Sequence, residues 1–185
     1  MGIRNIRIYH SKNGINFQGN HNFVTMAEKM ILVGGGLAGS LMSIYLAKRG
    51  YEVHLYERRD DMRQGNYIGG RSINLALSTR GITALEKVGL VDDILKISIP
   101  MFGRMMHSPE GALQYQAYGR DDQAIYSVSR GELNIRLLQL ADAYPNIHMY
   151  FNHRCTHMDL ENNEATFVND KGDLIAVNGD VFLAT

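Results

Sequence analysis

The sequence predicts an α/β protein built on a Rossmann-like βαβ unit, and three observations carry that prediction. Met30-Ile31-Leu32-Val33 is a continuous apolar run, the pattern of a strand buried on both faces of a parallel sheet. It runs into Gly34-Gly35-Gly36-Leu37-Ala38-Gly39, which matches G-x-G-x-x-G. An alternating stretch over residues 51–56 then ends on an acid, Glu57, 18 residues after Gly39 and close to the spacing of about 20 that a dinucleotide fingerprint uses.

The elements follow in order. After the strand over 30–33 and the glycine turn, Leu41, Ile44, Tyr45 and Leu46 recur at helical spacing until Lys48-Arg49-Gly50, a helix stop signal. Residues 57–72, with Asp60-Asp61, Gly65-Asn66 and Gly69-Gly70, read as a long polar excursion, and loops of that length in a compact domain are usually functional or disordered. A short apolar stretch covers 73–77. Ser78 is placed to cap a helix running to about 88 and closed by Gly89, with a shorter helix over 91–97. Residues 101–107, 112–116 and 124–128 predict short strands, an inserted antiparallel element. Ser129 caps a helix with Leu133, Leu137, Leu138 and Leu140 on its apolar side, ending before Pro145. Strands are expected over 147–151, 154–160, 165–168 and 174–177, the last two joined by a turn at 169–173. Residues 180–185 begin another buried strand where the sequence stops. Natural domains seldom end inside a core strand, so a C-terminally truncated product is expected.

Composition sets the bounds. A chain of 185 residues with 45% hydrophobic residues amounts to one domain, or a piece of a larger one, with enough apolar side chains for a real core. Its 19 basic and 19 acidic groups cancel, so no global field recruits nucleic acid or an acidic membrane. One cysteine forms no internal disulfide, which points to a reducing compartment and a cytoplasmic location. No apolar run approaches the roughly 20 residues needed to cross a bilayer as a helix.

The zero net charge hides a division. Residues 1–25 hold Arg4, Arg7 and Lys12 and no acid, whereas 26–185 carry a balancing acidic excess. That leader has five asparagines and no apolar stretch of the kind a secretory signal needs. It is expected to be a disordered or spurious extension before a start at Met26, leaving 26–185 as an incomplete dinucleotide-binding domain.

Each residue of the fingerprint has a physical task. Gly34 permits the tight turn, Gly36 lets the backbone approach a pyrophosphate, and Gly39 lets helix pack on strand, while helix N–H groups face the phosphates. Glu57 suits a ribose diol and repels the 2′-phosphate of NADP, so NAD and FAD both remain as the bound dinucleotide. Arg58 and Arg59 read equally as a solvated basic pair.

His153, Cys155 and His157 alternate, and on a regular strand would share a face and offer soft N and S donors. A structural zinc site takes four ligands and no further cysteine exists, so a strand of polar alternation is expected there and no metal site.

Longer stretches are more specific than any pattern. Gly34-Gly35-Gly36-Leu37-Ala38-Gly39-Ser40, Leu46-Ala47-Lys48-Arg49-Gly50, Gly70-Arg71-Ser72-Ile73-Asn74-Leu75-Ala76-Leu77-Ser78, Gly103-Arg104-Met105-Met106-His107 and Ser127-Val128-Ser129-Arg130-Gly131-Glu132-Leu133-Asn134 resemble the kynurenine 3-monooxygenase family of FAD-dependent aromatic hydroxylases. The resemblance runs from about Met30 to the end. It implies a Rossmann-like FAD-binding domain of the flavoprotein hydroxylase type, and an activity that converts L-kynurenine to 3-hydroxykynurenine with NADPH and O2.

The resemblance also implies roles. Gly34, Gly36, Ala38 and Gly39 would cradle the FAD pyrophosphate, and Glu57 would hold the adenosine ribose, flanked by Tyr56, Arg58 and Arg59. Ala76 would lie on the flavin side, Arg130 would reach the phosphates or ribityl chain, and the backbone at Cys155 would line the adenine end. Arg104 and Tyr118, within a substrate-binding region of about 101–128, would hold the carboxylate of the substrate's amino acid group, a task suited to a guanidinium and a phenol. By residue type alone, Arg104 reads as a strand-edge arginine in a surface ion pair and Tyr118 as a turn-flanking aromatic. Arg130 opens a helix, a poor place for a cation unless an anion is bound nearby.

No side chain is implied as nucleophile. The truncated piece itself is expected to bind FAD or ADP weakly without turnover. Another flavin-dependent aromatic hydroxylase, an NAD-dependent dehydrogenase and a non-catalytic binding module are the alternatives.

Overall fold

The computed structural model describes residues 7–10, for the backbone alone, and residues 28–65, 73–120 and 122–185. The elements are β1 (Arg7–His10), β2 (Lys29–Val33), α1 (Leu37–Ala47), β3 (Glu52–Tyr56), a 3-10 turn (Met62–Gln64), β4 (Asn74–Leu77), α2 (Thr79–Glu86), α3 (Val91–Lys96) and β5 (Ile99–Met101). They continue with β6 (Gly103–His107), β7 (Leu113–Ala117), β8 (Ile125–Ser129), α4 (Arg130–Asp142), β9 (Ile147–Tyr150), β10 (Arg154–Asp159), β11 (Glu164–Val168), β12 (Leu174–Asn178) and β13 (Val181–Ala184). The chain divides into two compact units, Met1–Ile68 with Leu137–Thr185, and Gly69–Arg136.

The first unit holds a five-stranded sheet in the order β1-β13-β2-β3-β9. The three pairings from β13 to β9 are parallel, and β1 adds antiparallel to the edge of β13, with Arg7 opposite Ala184. Part of the leader expected to be disordered or spurious is therefore an edge strand, because the backbone donors and acceptors along β13 accept any extended segment. The remainder of residues 1–25 lies outside the described residues. β2 is flanked by the last strand on one side and the next strand on the other, so the chain reverses its winding between β13 and β2. Open α/β sheets bind ligands outside the carboxyl ends of strands at such a point.

Both faces of the sheet are covered. Helix α1 packs on β2, β3 and β9. Its buried side is Gly39, Ser40, Ser43, Ile44 and Ala47, so that of the predicted stripe of Leu41, Ile44, Tyr45 and Leu46 only Ile44 is fully buried. Small residues let the helix lie close to the sheet, and the serine hydroxyls satisfy themselves on the helix backbone: Ser43 Oγ donates to Ser40 O at 2.7 Å and Ser40 Oγ to Gly36 O at 2.9 Å. The other face is covered by the antiparallel β10-β11-β12 sheet, through a core of Ile31, Tyr56 and Phe182 from the large sheet against Ala165, Phe167 and Val177.

The second unit contains the β4-β8-β5 sheet, the β6-β7 hairpin and helices α2 and α3. The stretch expected as one strand over 101–107 is two. β5 pairs with β8 and carries Pro100 on an edge strand, where a missing N–H costs no ladder bond. β6 pairs only with β7. Ser78 occupies the cap position of α2 but its side chain makes no capping bond. Ser129 Oγ, in contrast, accepts from Glu132 N at 3.4 Å at the start of α4. Among the described residues no helix is long and apolar enough to cross a membrane.

Candidate functional site

The glycine turn sits where β2 ends. Gly34 has φ +114°, a conformation L side chains rarely adopt, and its N–H donates to Tyr56 O at 2.8 Å. Thr185, just past β13, clamps the same turn: its Oγ1 donates to Gly34 O at 2.9 Å and its N–H to Val33 O at 2.9 Å. No local pattern points to Thr185, because only the β13-β2 pairing brings it there.

The other two glycines differ in what surrounds them. A Cβ on Gly39 would collide with the Gly34 carbonyl oxygen and stand 2.9 Å from Thr185 Oγ1. A Cβ on Gly36 would meet nothing within 4 Å. Gly36 caps α1 with φ −74° and ψ −173°, and the first turn of α1 holds no acid. The first N–H groups of a helix have no partner within it and carry its positive end, so open space bordered by them suits a phosphate. Ala38 is exposed in that first turn.

Glu57 stands just past the end of β3, 6% exposed. Its carboxylate accepts from Gly35 N at 2.7 Å, Arg59 N at 3.0 Å, Arg59 Nε at 2.7 Å and Arg59 Nη2 at 3.1 Å. The main-chain turn around it is fixed by Glu57 N donating to Tyr150 O and His153 N donating to Glu57 O. Arg59 is therefore the carboxylate's partner although partly open to solvent, while Arg58 is exposed. Burial alone would raise the Glu57 pKa, but the donors from Arg59 and Gly35 outweigh it and hold the carboxyl below its ordinary value.

That balance has a pH consequence. A folded-state pKa below the unfolded one contributes stability that is complete above the unfolded value and is lost as pH falls through the folded one. Glu57→Gln is expected to cost about 1–2 kcal/mol at pH 7, the upper range being discounted because Arg59 is 43% exposed. The deficit against the parent should shrink as pH drops below about 4, toward the folded-state pKa. Urea melts of both chains across that range check it, and a deficit independent of pH would show that charge on Glu57 is not its source.

Tyr56, expected to flank a ribose, is instead a core residue. Its ring stacks on Phe167 at 4.0 Å and Tyr150 at 4.6 Å between centroids, and burial pushes its hydroxyl pKa up to about 12. What it offers the glycine turn is its carbonyl. Cys155 packs against the same core from β10, an outer strand of its sheet, and burial raises its thiol pKa. A register shift between Cys155 and His157, with His153 preceding the strand, breaks the expected common face of these three residues. A cavity of about 240 Å3 lies beside the ends of β3 and β9, lined by Asp60, Asp61, Gln64, Phe151 and Asn152. Its carboxylates make it unsuited to phosphate, and Arg63 already holds Asp61 at 2.7 Å.

In the second unit, Arg104 and Gln116 are paired across the β6-β7 hairpin, and Tyr118 N donates to Phe102 O at 2.8 Å as the pairing continues. Partners in register, and residues two apart, share a face, so Arg104, Gln116 and Tyr118 lie on one side of the hairpin. Gln116 Oε1 accepts from Arg104 Nε at 2.8 Å and from Nη2 at 2.5 Å. No sequence pattern marks Gln116, because only the register of β6 with β7 brings it to Arg104. It holds the guanidinium extended with a neutral acceptor that a carboxylate, the stronger partner, can replace. Ala76 is exposed on β4 opposite Ser127. Arg130 is exposed at the start of the 13-residue α4, its N–H donating to Ile73 O at 3.1 Å. Residues 70–72 of the most specific block lie outside the described residues.

Comparison with known proteins agrees with this geometry. Residues 32–76 match the family of NAD(P)-binding Rossmann-like domains. The chain is 51% identical over 144 residues to a kynurenine 3-monooxygenase of Myxococcus xanthus (strain DK1622), covering 77% of this chain and 31% of that protein. It is 49% identical over 138 residues to the Anopheles gambiae kynurenine 3-monooxygenase, covering 74% of this chain and 28% of that one. Among solved structures it superposes on the flavin-dependent monooxygenase PieE, in complex with FAD and substrate, with a TM-score of 0.68 at 16% identity, over 84% of this chain and 29% of that one. The chain thus spans under a third of the length of these relatives, and the structural likeness establishes a Rossmann-like α/β fold of the kind PieE has.

Proposed function

We propose that this chain, a homologue of the kynurenine 3-monooxygenases, is the dinucleotide-binding portion of an FAD-dependent enzyme that hydroxylates L-kynurenine to 3-hydroxykynurenine. The observation that carries the proposal is 51% identity over 144 residues to an enzyme of that name. The open space over Gly36 and the buried acid after β3 fit FAD. Bound FAD supplies the redox chemistry, with NADPH as reductant and O2 as the source of the hydroxyl oxygen.

The chain's own residues bind and orient. Gly34, Gly36, Ala38 and Gly39 admit the pyrophosphate to the N–H groups of α1. Glu57 accepts the ribose hydroxyls, and Arg59 gives up part of its hold on the carboxylate when they arrive. Arg58 stays beside the ribose, and the Cys155 backbone borders the adenine. Ala76 and Arg130 take the flavin-side and the phosphate or ribityl positions. Arg104 exchanges Gln116 for the carboxylate of kynurenine's amino acid group, Tyr118 adds one hydrogen bond, and the ring is oriented by its anchored end. A cytoplasmic location belongs to the same proposal, supported by a single cysteine.

Titrating FAD into the 185-residue chain, followed by quenching of flavin fluorescence, tests the binding half; saturable quenching reversed by ADP is expected. Kynurenine-dependent NADPH oxidation by the enzyme tests the other half. Arg104→Gln should raise KM for kynurenine about 10- to 100-fold, the loss of one charge-assisted pair. An unchanged KM removes Arg104 from the substrate site.

A further inference from the structure

Away from the glycine turn, at the amino end of β3, a second constellation of ligating side chains forms. Glu52 and His54 are two apart on β3, and His148 on β9 is the in-register partner of His54, so all three project from one face of the sheet. His54 Nε2 lies 2.8 Å from Glu52 Oε1, and His148 Nε2 lies 3.9 Å from the same oxygen. One ligand atom from each residue falls within 4.8 Å of the others. Two imidazoles and one carboxylate form the donor set of a three-ligand zinc site, and no grouping of this kind occurs elsewhere among the described residues.

Bond lengths of about 2.0–2.2 Å to zinc put tetrahedral ligand atoms roughly 3.3–3.5 Å apart. The two separations to Glu52, 2.8 and 3.9 Å, bracket that value and the whole set lies within 4.8 Å, so rotations of the half-exposed Glu52 and His148 side chains close it. The side chains grade from buried to open: His54 is 10% exposed, Glu52 42% and His148 44%. An ion has a way in and keeps a position for water. His54 also has an outer partner, since its Nδ1 lies 3.2 Å from the Tyr150 hydroxyl. When Nε2 ligates, Nδ1–H donates to that hydroxyl and fixes the tautomer, the usual support of a ligating histidine. Lys29, opposite Glu52 on β2, is a nearby cation that opposes an added positive charge.

We propose that Glu52, His54 and His148 bind a zinc-class divalent ion that ties the edge strand β9 to β3. The ion is separate from the dinucleotide, which belongs at the opposite, carboxyl ends of the strands.

Calorimetric titration of the full 185-residue chain with zinc chloride, paired with thermal melts, tests this. The expected result is saturable, equimolar binding that raises Tm, with no effect of magnesium. His148→Ala, at a half-exposed position that should not threaten folding, is expected to weaken zinc binding tenfold or more and to abolish the rise in Tm. Tyr150→Phe, which keeps the ring and removes the outer partner, should weaken binding up to about tenfold. Gly36→Ala should bind zinc as the parent does. Absence of saturable binding, or equal affinity in His148→Ala, overturns the proposal and leaves Glu52 and His54 as a hydrogen-bonded pair.

Discussion

Gly39→Ala is expected to destabilise the fold by about 3 kcal/mol or more, while Gly36→Ala, three residues earlier, leaves the fold intact and removes dinucleotide binding. The two glycines belong to one motif but face different surroundings. At Gly39 the added carbon overlaps the Gly34 carbonyl oxygen and stands 2.9 Å from Thr185 Oγ1. Neither atom can retreat easily. The Gly34 oxygen accepts the Thr185 hydroxyl, the Gly34 N–H is bonded to Tyr56 O, and the residue is held at φ +114°. The helix must therefore lift from the sheet, losing contacts along its small-residue face. For a chain of this size, 3 kcal/mol corresponds to a fall in Tm of roughly 6–12 °C.

At Gly36 the added carbon enters empty space, in backbone dihedrals that alanine adopts without strain. Alanine is a poorer cap than glycine but loses less chain entropy on folding, so stability should stay within about 1 kcal/mol. The methyl group occupies the approach of a pyrophosphate to the first turn of α1, and FAD affinity should fall about 100-fold or more. Thermal melts and flavin titrations of both variants make the comparison. If Gly36→Ala bound FAD like the parent, the open space over Gly36 would not be the phosphate site.

This contrast also marks how far the sequence was legible. The order strand, glycine turn, helix, strand, acid is local, and spacing alone exposes it. The separate tasks of Gly34, Gly36 and Gly39 follow from backbone sterics common to all such turns. What stayed hidden depends on pairings between distant residues. Thr185 reaches Gly34 only through the parallel pairing of β13 with β2, and Arg7–His10 becomes a strand only because β13 has an edge to offer. Ser40 and Ser43 look like a polar interruption of an apolar stripe, yet both are buried, because close packing of α1 selected small side chains over large ones. Arg58 and Arg59 are alike in sequence, and only the bend after β3 turns Arg59 back onto Glu57. The resemblance implies Tyr56 as a ribose neighbour, and alternation along β3 sends its ring to the opposite side of the strand from Leu55, into the core beneath the small sheet. The juxtaposition of His54 with His148 spans 94 residues and rests on the register of β3 with β9.

Phe167→Ala is expected to cost about 3–5 kcal/mol, enough to leave the chain marginal or unfolded. Phe167 is 0% exposed, the bulkiest of the fully buried side chains, and its ring stacks on Tyr56 at 4.0 Å between centroids. It lies on β11, the central strand of the small sheet, so the cavity left by truncation opens in the middle of the interface between that sheet and the large one. Neighbours cannot readily collapse into it. Ile31 and Phe182 are fixed by the parallel ladder, and Ala165 and Val177 are too short to fill an aromatic ring's volume. The loss also reaches the glycine turn through one residue, because Tyr56, whose ring loses its closest stacking partner, supplies the carbonyl that accepts the Gly34 N–H. Phe167→Leu keeps most of the volume and should cost under about 1.5 kcal/mol, which separates cavity formation from loss of the aromatic stack. Urea denaturation gives both values. Amide exchange in Phe167→Leu should then quicken first in β10 to β12, where the small sheet depends on that one interface, and later in β2 and β3, which are paired on both sides. A Phe167→Ala chain that melts with the parent would mean that the small sheet does not dock through this ring, and the coupling to Gly34 would fall with it.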